Sequence, residues 1–74
     1  MISKKDKAVL QKFGDHVKEL REGKNLTLRE LSAACEIDNS KISRIEMGKM
    51  NITILTLLEL ASGLELPPSD LMDF

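Results

Sequence analysis

The chain has 74 residues, 42% of them hydrophobic but with two Phe as the only aromatic side chains, and its formal net charge at pH 7 is -1. This length suits one domain with an aliphatic core that is marginal on its own, so we expect help from a partner chain. Because no long apolar run is present and the start, MISKKDK, lacks the apolar region of a signal peptide, we expect a soluble, cytoplasmic protein with no membrane association.

The first predicted helix covers about residues 4–24. Ser3 and Asp6 form a capping-box pattern at its start. Apolar residues then recur at helical spacing on one face, at Val9, Phe13, Val17 and Leu20. A helix of this length can support shorter helices packed against that face.

A second helix is predicted over about residues 28–35. Thr27 and Glu30 form its capping box, and its apolar stripe consists of Leu31, Ala34 and Cys35. A third helix follows almost at once, over about residues 39–47, with Asp38 as its cap. Only Ile42 and Ile45 anchor it. The sequence therefore predicts two short helices joined by a tight turn.

Two further helices are predicted after the loop of Gly48 to Asn51. Thr53 can cap a fourth helix over about residues 54–62, with Gly63 as its stop. Pro67 and Pro68 permit a fifth over about residues 68–74. The whole of residues 1–74 is expected to form this one all-α, five-helix domain.

The last two helices carry more apolar residues than one face can hold. We expect a second copy of the chain to cover the excess, with a dimer interface formed by Ile54, Leu57, Leu58, Leu64, Leu66 and Phe74. Ordinary surface leucines are the alternative explanation.

The polar residues of the third helix point to DNA. Asn39, Ser40, Lys41, Ser43 and Arg44 remain on its outer faces. A short helix whose first turn is polar and basic is typical of a helix that reads the major groove, where amide, hydroxyl and cationic groups can bond to base edges. Each residue could instead be solvated surface, and Lys41 and Arg44 could hold phosphate. The candidate backbone contacts are Lys24, Thr27, Lys49 and Asn51.

Charge along the chain agrees with this reading. Residues 1–51 hold 11 Lys and Arg against eight Asp and Glu, a charge of +3, whereas residues 52–74 hold four acidic and no basic residues, a charge of -4. Phosphate attraction acts over about 8 Å, so a local basic face suffices. Of the lysines, Lys4, Lys5 and Lys7 lie at the start of the first helix. We favour a solvated terminus there over an arm that touches the DNA backbone.

Catalytic and metal-binding chemistry has little support. Cys35 is the single cysteine and His16 the single histidine, so neither an internal disulfide nor a His/Cys metal cluster can form. Cys35 is expected to be a buried, inert thiol and His16 to lie on the exposed side of the first helix. No nucleophile has a spaced base and orienting acid. We expect no enzyme activity, no cofactor and no metal.

The chain resembles the phage-repressor-like helix-turn-helix DNA-binding family, also called lambda-repressor-like or xenobiotic-response-element. The resemblance rests on LRE at residues 20–22, a cap at Thr27, Leu31 with Ser32, the run Ile42-Ser-Arg-Ile-Glu46 and Gly48, and it extends through the last two helices. It implies a compact five-helix fold with the helix-turn-helix at helices two and three. It also implies an internal ion pair between Arg21 and Glu46 with a structural role.

Three positions depart from the family pattern. Leu28 stands where the family often has a Gln that helps hold a phosphate, and Glu36 stands where the turn usually has Gly. Asn25 replaces the Gly after the first helix, and Asn is the next best residue for a left-handed cap. We therefore expect either backbone strain or a different turn shape at Glu36.

Two classes of function follow. The favoured one is a sequence-specific transcription regulator, such as a repressor, that binds an inverted-repeat operator in double-stranded DNA as a homodimer and lacks a ligand-sensing domain. The alternative is an antitoxin-like module that neutralises a partner protein and binds DNA secondarily.

Overall fold

Five helices follow one another in the computed structural model, which describes residues 3–74. They are α1 (Lys4–Gly23), α2 (Leu28–Cys35), α3 (Asn39–Glu46), α4 (Ile54–Leu64) and α5 (Pro68–Leu71). No strand occurs within the described residues, and the expected all-α, five-helix fold is confirmed. Residues 1 and 2, which the predicted domain also included, lie outside the described part of the chain.

Local capping explains where the helices begin. Ser3 and Thr27 each form the complete capping box that the sequence predicts. Thr53 Oγ1 accepts a hydrogen bond from the backbone N–H of Thr56 at 3.2 Å, and Pro68 stands in the first turn of α5. These starts depend only on residues close together in the chain, so sequence reasoning finds them.

Four helix ends differ from the sequence-based boundaries. α1 and α3 each end one residue early, at Gly23 and Glu46. α5 ends at Leu71 instead of continuing to residue 74, because the N–H of Met72 turns back to the carbonyl of Ser69. α4 was expected to run to about residue 62 and instead continues to Leu64.

The longer α4 follows from the packing of Gly63 on α2. A Cβ added at Gly63 would lie 2.6 Å from the Cβ of Cys35 and 3.2 Å from the Cδ1 of Leu31. The missing side chain therefore lets α4 approach α2 closely. An interior glycine costs about 1 kcal/mol of helix propensity relative to Ala, which this contact offsets. Interpreting Gly63 as a helix stop was wrong for that reason.

Left-handed residues other than glycine turn the chain after three of the described helices. Asn25 has φ 58°, as its cap position predicts. Glu36 has φ 59° and ψ 26°, so the helix-turn-helix turn keeps the shape that Gly would permit and Glu36 accepts the strain. Glu65, at φ 56°, ends α4 in the same way.

The core is aliphatic apart from Phe13 and joins all five helices. α2 packs on α3 and α4, α1 packs on α3, and α5 packs on α4 and α1. The largest fully buried side chains are Val17, Leu31, Ile42, Ile45, Leu60, Leu64 and Leu71. Cys35 is buried, and burial raises the pKa of its thiol, which keeps it protonated and unreactive. Between residues 3 and 74, no helix is long and apolar enough to cross a membrane.

α1 and α3 meet at backbone contact distance. Gly14 is buried, and a Cβ added there would lie 2.6 Å from the carbonyl oxygen of Glu46. At about 100° of rotation per residue, Lys7, Gln11, Lys18 and Arg21 fall within about 60° of Gly14 around α1. The stripe of α1 that contains these four side chains therefore runs along α3.

His16 joins α1 to α5. Its Nε2 lies 2.6 Å from the carbonyl oxygen of Asp70, which requires Nε2–H to be the donor. The ring lies beside Phe74, with centroids 6.3 Å apart, and Phe74 in turn meets Phe13 edge-on at 5.5 Å. The exposed position predicted for His16 was wrong, because α5 folds back over α1 and half-buries the imidazole.

Candidate nucleic-acid interface

α3 begins at a tightly bonded cap. The carboxylate of Asp38 accepts a hydrogen bond from the backbone N–H of Ser40 at 3.1 Å and a second, short one from the Ser40 hydroxyl. The hydroxyl bond is the main reason that the pKa of Asp38 lies below its usual value. Since the Ser40 proton is engaged with Asp38, the free lone pairs of this hydroxyl act as acceptors.

The buried side of α3 fixes which side chains remain outside. Ile42 and Ile45 are fully buried and Glu46 is 6% exposed. Around the helix, at about 100° per residue, the opposite arc contains Ser40, Ser43, Arg44 and Met47. We call these four residues the outer arc of α3. Ser40, Arg44 and Met47 are exposed, and Ser43 is half-buried.

The structure brings three of the five predicted base-contact residues onto this outer arc. Asn39 and Lys41 lie at the two edges of the arc, next to the buried side, and both are half-buried. Asn39 is the first residue of α3, at the end of the helix that a major-groove reader presents to base edges, whereas the cationic Lys41 suits a phosphate contact. Met47, 46% exposed, was missed by the sequence reasoning. Its four-residue spacing from Ser43 was the available signal, and its side chain offers an apolar contact for a thymine methyl.

An ion pair holds α3 in place. Arg21 Nε donates to Glu46 Oε2 at 2.7 Å, and Arg21 Nη2 donates to Glu46 Oε1 at 3.0 Å. Arg21 Nη1 also donates to the backbone carbonyl of Leu26 at 2.8 Å. The hydrogen bond to Glu46 raises the pKa of Arg21. The expected pair is thus present, and it fixes α3 relative to α1 and the loop before α2.

The start of α2 presents the hydroxyl group of Thr27. Thr27 Oγ1 accepts from the N–H of Glu30 at 3.1 Å, and Glu30 Oε1 accepts from the N–H of Thr27 at 2.9 Å. The capping role uses a lone pair of Thr27 and leaves its proton available to a phosphate oxygen. Lys24 is exposed just before this start, whereas Leu28 is half-buried and packs on the core.

The loop after α3 is fixed by backbone bonds. Gly48, at φ 72°, donates its N–H to the carbonyl of Ile45, and Lys49 donates its N–H to the carbonyl of Arg44, both at 3.0 Å. A Cβ at Gly48 would lie 2.8 Å from the Cα of Gln11, so α1 fits closely against the loop. Lys49 and Asn51 are both exposed.

Two clefts lie beside the contact of α1 with α3 and the loop after it, and both contain lysines that the sequence analysis did not assign to DNA contacts. The residues that line one cleft include Asp15 and Lys18 of α1, Leu28 of α2, Ser43 of α3, and Met47, which follows α3. The other is lined by Lys7, Leu10, Gln11, Met47, Gly48 and Lys49. The spacing of Lys7, Gly14 and Arg21 by seven residues was the signal that these side chains share a face.

An exposed apolar surface lies on α1, α4 and the residues that follow α5. It consists of Val9, Ile54, Leu55, Leu58, Met72 and Phe74, each between 43% and 69% exposed. We call this set the apolar face. Three predicted interface residues, Ile54, Leu58 and Phe74, belong to it, and Leu66 is half-buried. Leu57 and Leu64 do not, because they are 7% and 1% exposed and pack in the chain's own core; assigning those two to an interface was wrong.

No group of three or more His, Cys, Asp or Glu side chains that could hold a metal ion occurs in the described part of the chain.

Comparisons with known proteins agree with this geometry. The family model described as helix-turn-helix matches residues 17–71. The chain is 32% identical to the control protein C.BamHI of Bacillus amyloliquefaciens over 84% of this chain and 78% of the relative. It is 34% identical to the transcriptional repressor RghR of Bacillus subtilis over 85% of this chain, which spans 47% of that repressor. The crystal structure of the restriction-modification controller protein C.AhdI from Aeromonas hydrophila superposes with a TM-score of 0.84 at 34% identity, covering 86% and 97% of the two chains.

Proposed function

The chain belongs to the helix-turn-helix family of DNA-binding transcription regulators, and from this premise we propose that it binds an inverted-repeat operator in double-stranded DNA as a homodimer. It is a regulator and not an enzyme. Because its proposed target is DNA, we place its action in the cytoplasm. The observation that carries the proposal is the outer arc of α3, which is polar and accessible while the other side of the helix is locked to the core.

The chemistry of α3 suggests separate roles for its polar side chains. Asn39, at the start of the helix, can form paired hydrogen bonds to an adenine, and Arg44 on the outer arc can form them to a guanine. Ser40, whose proton is bonded to Asp38, can accept from an adenine or cytosine amino group. Ser43 can bond to a base or to a phosphate. We assign Lys41 to phosphate because it is a cation at the edge of the arc.

Backbone contacts would flank α3 on two sides. Lys24 and the free hydroxyl proton of Thr27 serve one strand at the start of α2, and Lys49 and Asn51 serve the other from the loop after α3. Such contacts carry no sequence information, and they set the register of the reading helix on the duplex.

A homodimer follows from the short reach of one reading helix. Two half-sites one helical turn apart require reading helices about 34 Å apart. The protein measures 32 × 23 × 21 Å, so two copies in contact can meet that distance. The apolar face is the surface we propose for the contact, since its side chains need cover and residues 52–74 carry the -4 charge that is best kept away from phosphate.

The names of the relatives favour a controller role. C.AhdI is a restriction-modification controller protein and C.BamHI is a control protein. We propose that this chain likewise regulates the genes of a restriction-modification system. A reporter gene driven by the promoter beside the operator would establish whether the protein activates or represses transcription.

Selection of binding sites from random duplex DNA tests the proposal. We expect the selected sites to share a palindromic consensus. Asn39→Ala should relax the base preference at one symmetric pair of positions, because the preferred base loses about 1–3 kcal/mol of its advantage in binding free energy over the other bases. Ser62→Ala, an exposed change on α4, is the matched control and should keep the parent consensus. Recovery of no consensus with the unmodified protein would reject the proposal.

A further inference from the structure

The cleft beside the end of α3 is lined by two lysines from distant parts of the sequence. Lys7 comes from the second turn of α1 and Lys49 from the loop after α3, and both line the cleft together with Gln11 and Gly48. Both ammonium groups belong to exposed residues. We call this the α1 cleft.

The walls of the α1 cleft are held by close contacts. Gly48 lies against Gln11 at a distance where a Cβ would meet the Cα at 2.8 Å. The N–H groups of Gly48 and Lys49 are bonded to the last turn of α3. Because Lys7 precedes Gln11 by one turn on the same face of α1, its position relative to Lys49 follows from the packing of α1 on the loop.

The α1 cleft has no carboxylate among the residues that line it. Asp6, the neighbour of Lys7, points its carboxylate toward the N–H of Ser3 in the cap of α1. The carboxylate of Asp15 accepts a hydrogen bond from the side-chain amide of Gln11 at 2.9 Å. The C-terminal end of α3 carries partial negative charge, but its carbonyls already accept from the loop. An anion between the two lysines would therefore be attracted by both and meet no lining carboxylate.

The α1 cleft is also continuous with the surface that would face DNA. Met47 belongs to the outer arc of α3 and lines the α1 cleft as well. An anion bound in the cleft would therefore lie directly beside a duplex docked on α3, which favours a phosphate of that duplex over a free ion.

We propose that the α1 cleft binds one phosphate of the DNA backbone, held between Lys7 and Lys49, so that α1 extends the contact surface beyond the reading helix. The inference rests on the proposed DNA-binding function and adds Lys7, which that proposal does not need. Under this proposal the basic start of α1 contacts the DNA backbone at one fixed site. A solvated terminus or a free arm would make no such fixed contact.

Binding to the selected operator at several salt concentrations tests the role of Lys7. Each phosphate contact contributes about 0.9 to the slope of log K against log salt. A dimer on a palindromic operator makes this contact once in each half-site, so Lys7→Ala should lower the slope by about two units, and raising salt from about 50 to about 200 mM should weaken binding roughly 12-fold less than in the parent. Lys12→Ala, on the opposite face of α1, is the matched control and should keep the parent slope. Lys7→Arg should restore it.

Operators with a single uncharged methylphosphonate locate the phosphate. Among the positions in each half-site at which this substitution weakens the parent, one should weaken Lys7→Ala clearly less. A parent slope and a parent interference pattern in Lys7→Ala would overturn the inference, as would a lower melting temperature with an unchanged slope, since that result would make Lys7 a cap for α3. If the unmodified protein selects no operator, the proposed function fails instead.

Discussion

Arg21 and Glu46 are joined by two parallel hydrogen bonds, and the third donor of the same guanidinium reaches the carbonyl of Leu26. Removing one partner strands a buried charge, so Glu46→Ala should lower the free energy of unfolding by about 3–5 kcal/mol, measured by urea denaturation. The double variant Arg21→Met with Glu46→Leu should recover part of this loss. A Glu46→Ala protein that melts like the parent but loses base preference would place Glu46 at the DNA.

Gly14 and Gly23 allow a matched comparison within α1. A Cβ at Gly14 would enter the backbone of α3, whereas nothing lies within 4 Å of a Cβ at Gly23. Gly14→Ala should therefore destabilise the protein by about 1–3 kcal/mol through overpacking. Gly23→Ala should be neutral or stabilise it by up to about 1 kcal/mol. Equal melting temperatures for the two variants would contradict the close contact of α1 with α3.

Leu58→Glu tests the apolar face without disturbing the core, because Leu58 is 43% exposed. We expect a folded monomer in sedimentation that binds a full palindromic operator no better than a half-site. Ala33→Glu adds the same charge at an exposed position of α2 and should leave the dimer intact. The dimer proposal fails if the parent itself sediments as a monomer at tens of micromolar while it retains full operator affinity.

The cap formed by Asp38 should make the stability of the protein depend on pH in the acidic range. Bonding to the Ser40 hydroxyl depresses the pKa of Asp38 in the folded protein. The stabilisation is therefore present above the unfolded pKa of about 3.9 and is lost as pH falls through the lower, folded value. Thermal melting of the parent and of Asp38→Ala should differ at pH 6 and converge in strong acid. A difference that stays constant down to the lowest pH would show that the carboxylate does not act as the cap.

Sequence reasoning succeeded where a few neighbouring residues decide the structure. Helix starts and the left-handed turn at Asn25 depend on side chains within one turn, and the motif around Glu46 was specific enough to predict its partner. It failed on α4, where apolar residues surround the axis and periodicity cannot separate the buried Leu57 from the exposed Leu58. That choice depends on Gly63 packing against α2.

The candidate site shows the same division. The outer arc of α3 was largely predictable because two isoleucines define its buried side, and Met47 alone was overlooked. The neighbourhood of Lys7 and Lys49 was not predictable from either segment, because it depends on how α1 crosses the loop at Gly48. Contacts between distant segments require the packed structure.

Glu36 and Glu65 hold left-handed backbone conformations that glycine would adopt freely. Each left-handed conformation therefore costs about 1 kcal/mol of stability, so a single substitution to Gly should raise the melting temperature. Neither residue belongs to the outer arc of α3 or to the apolar face. Replacing both residues by Gly would therefore let the fold tolerate destabilising changes in α3. Such changes can then be used to alter the DNA sequence that α3 recognises.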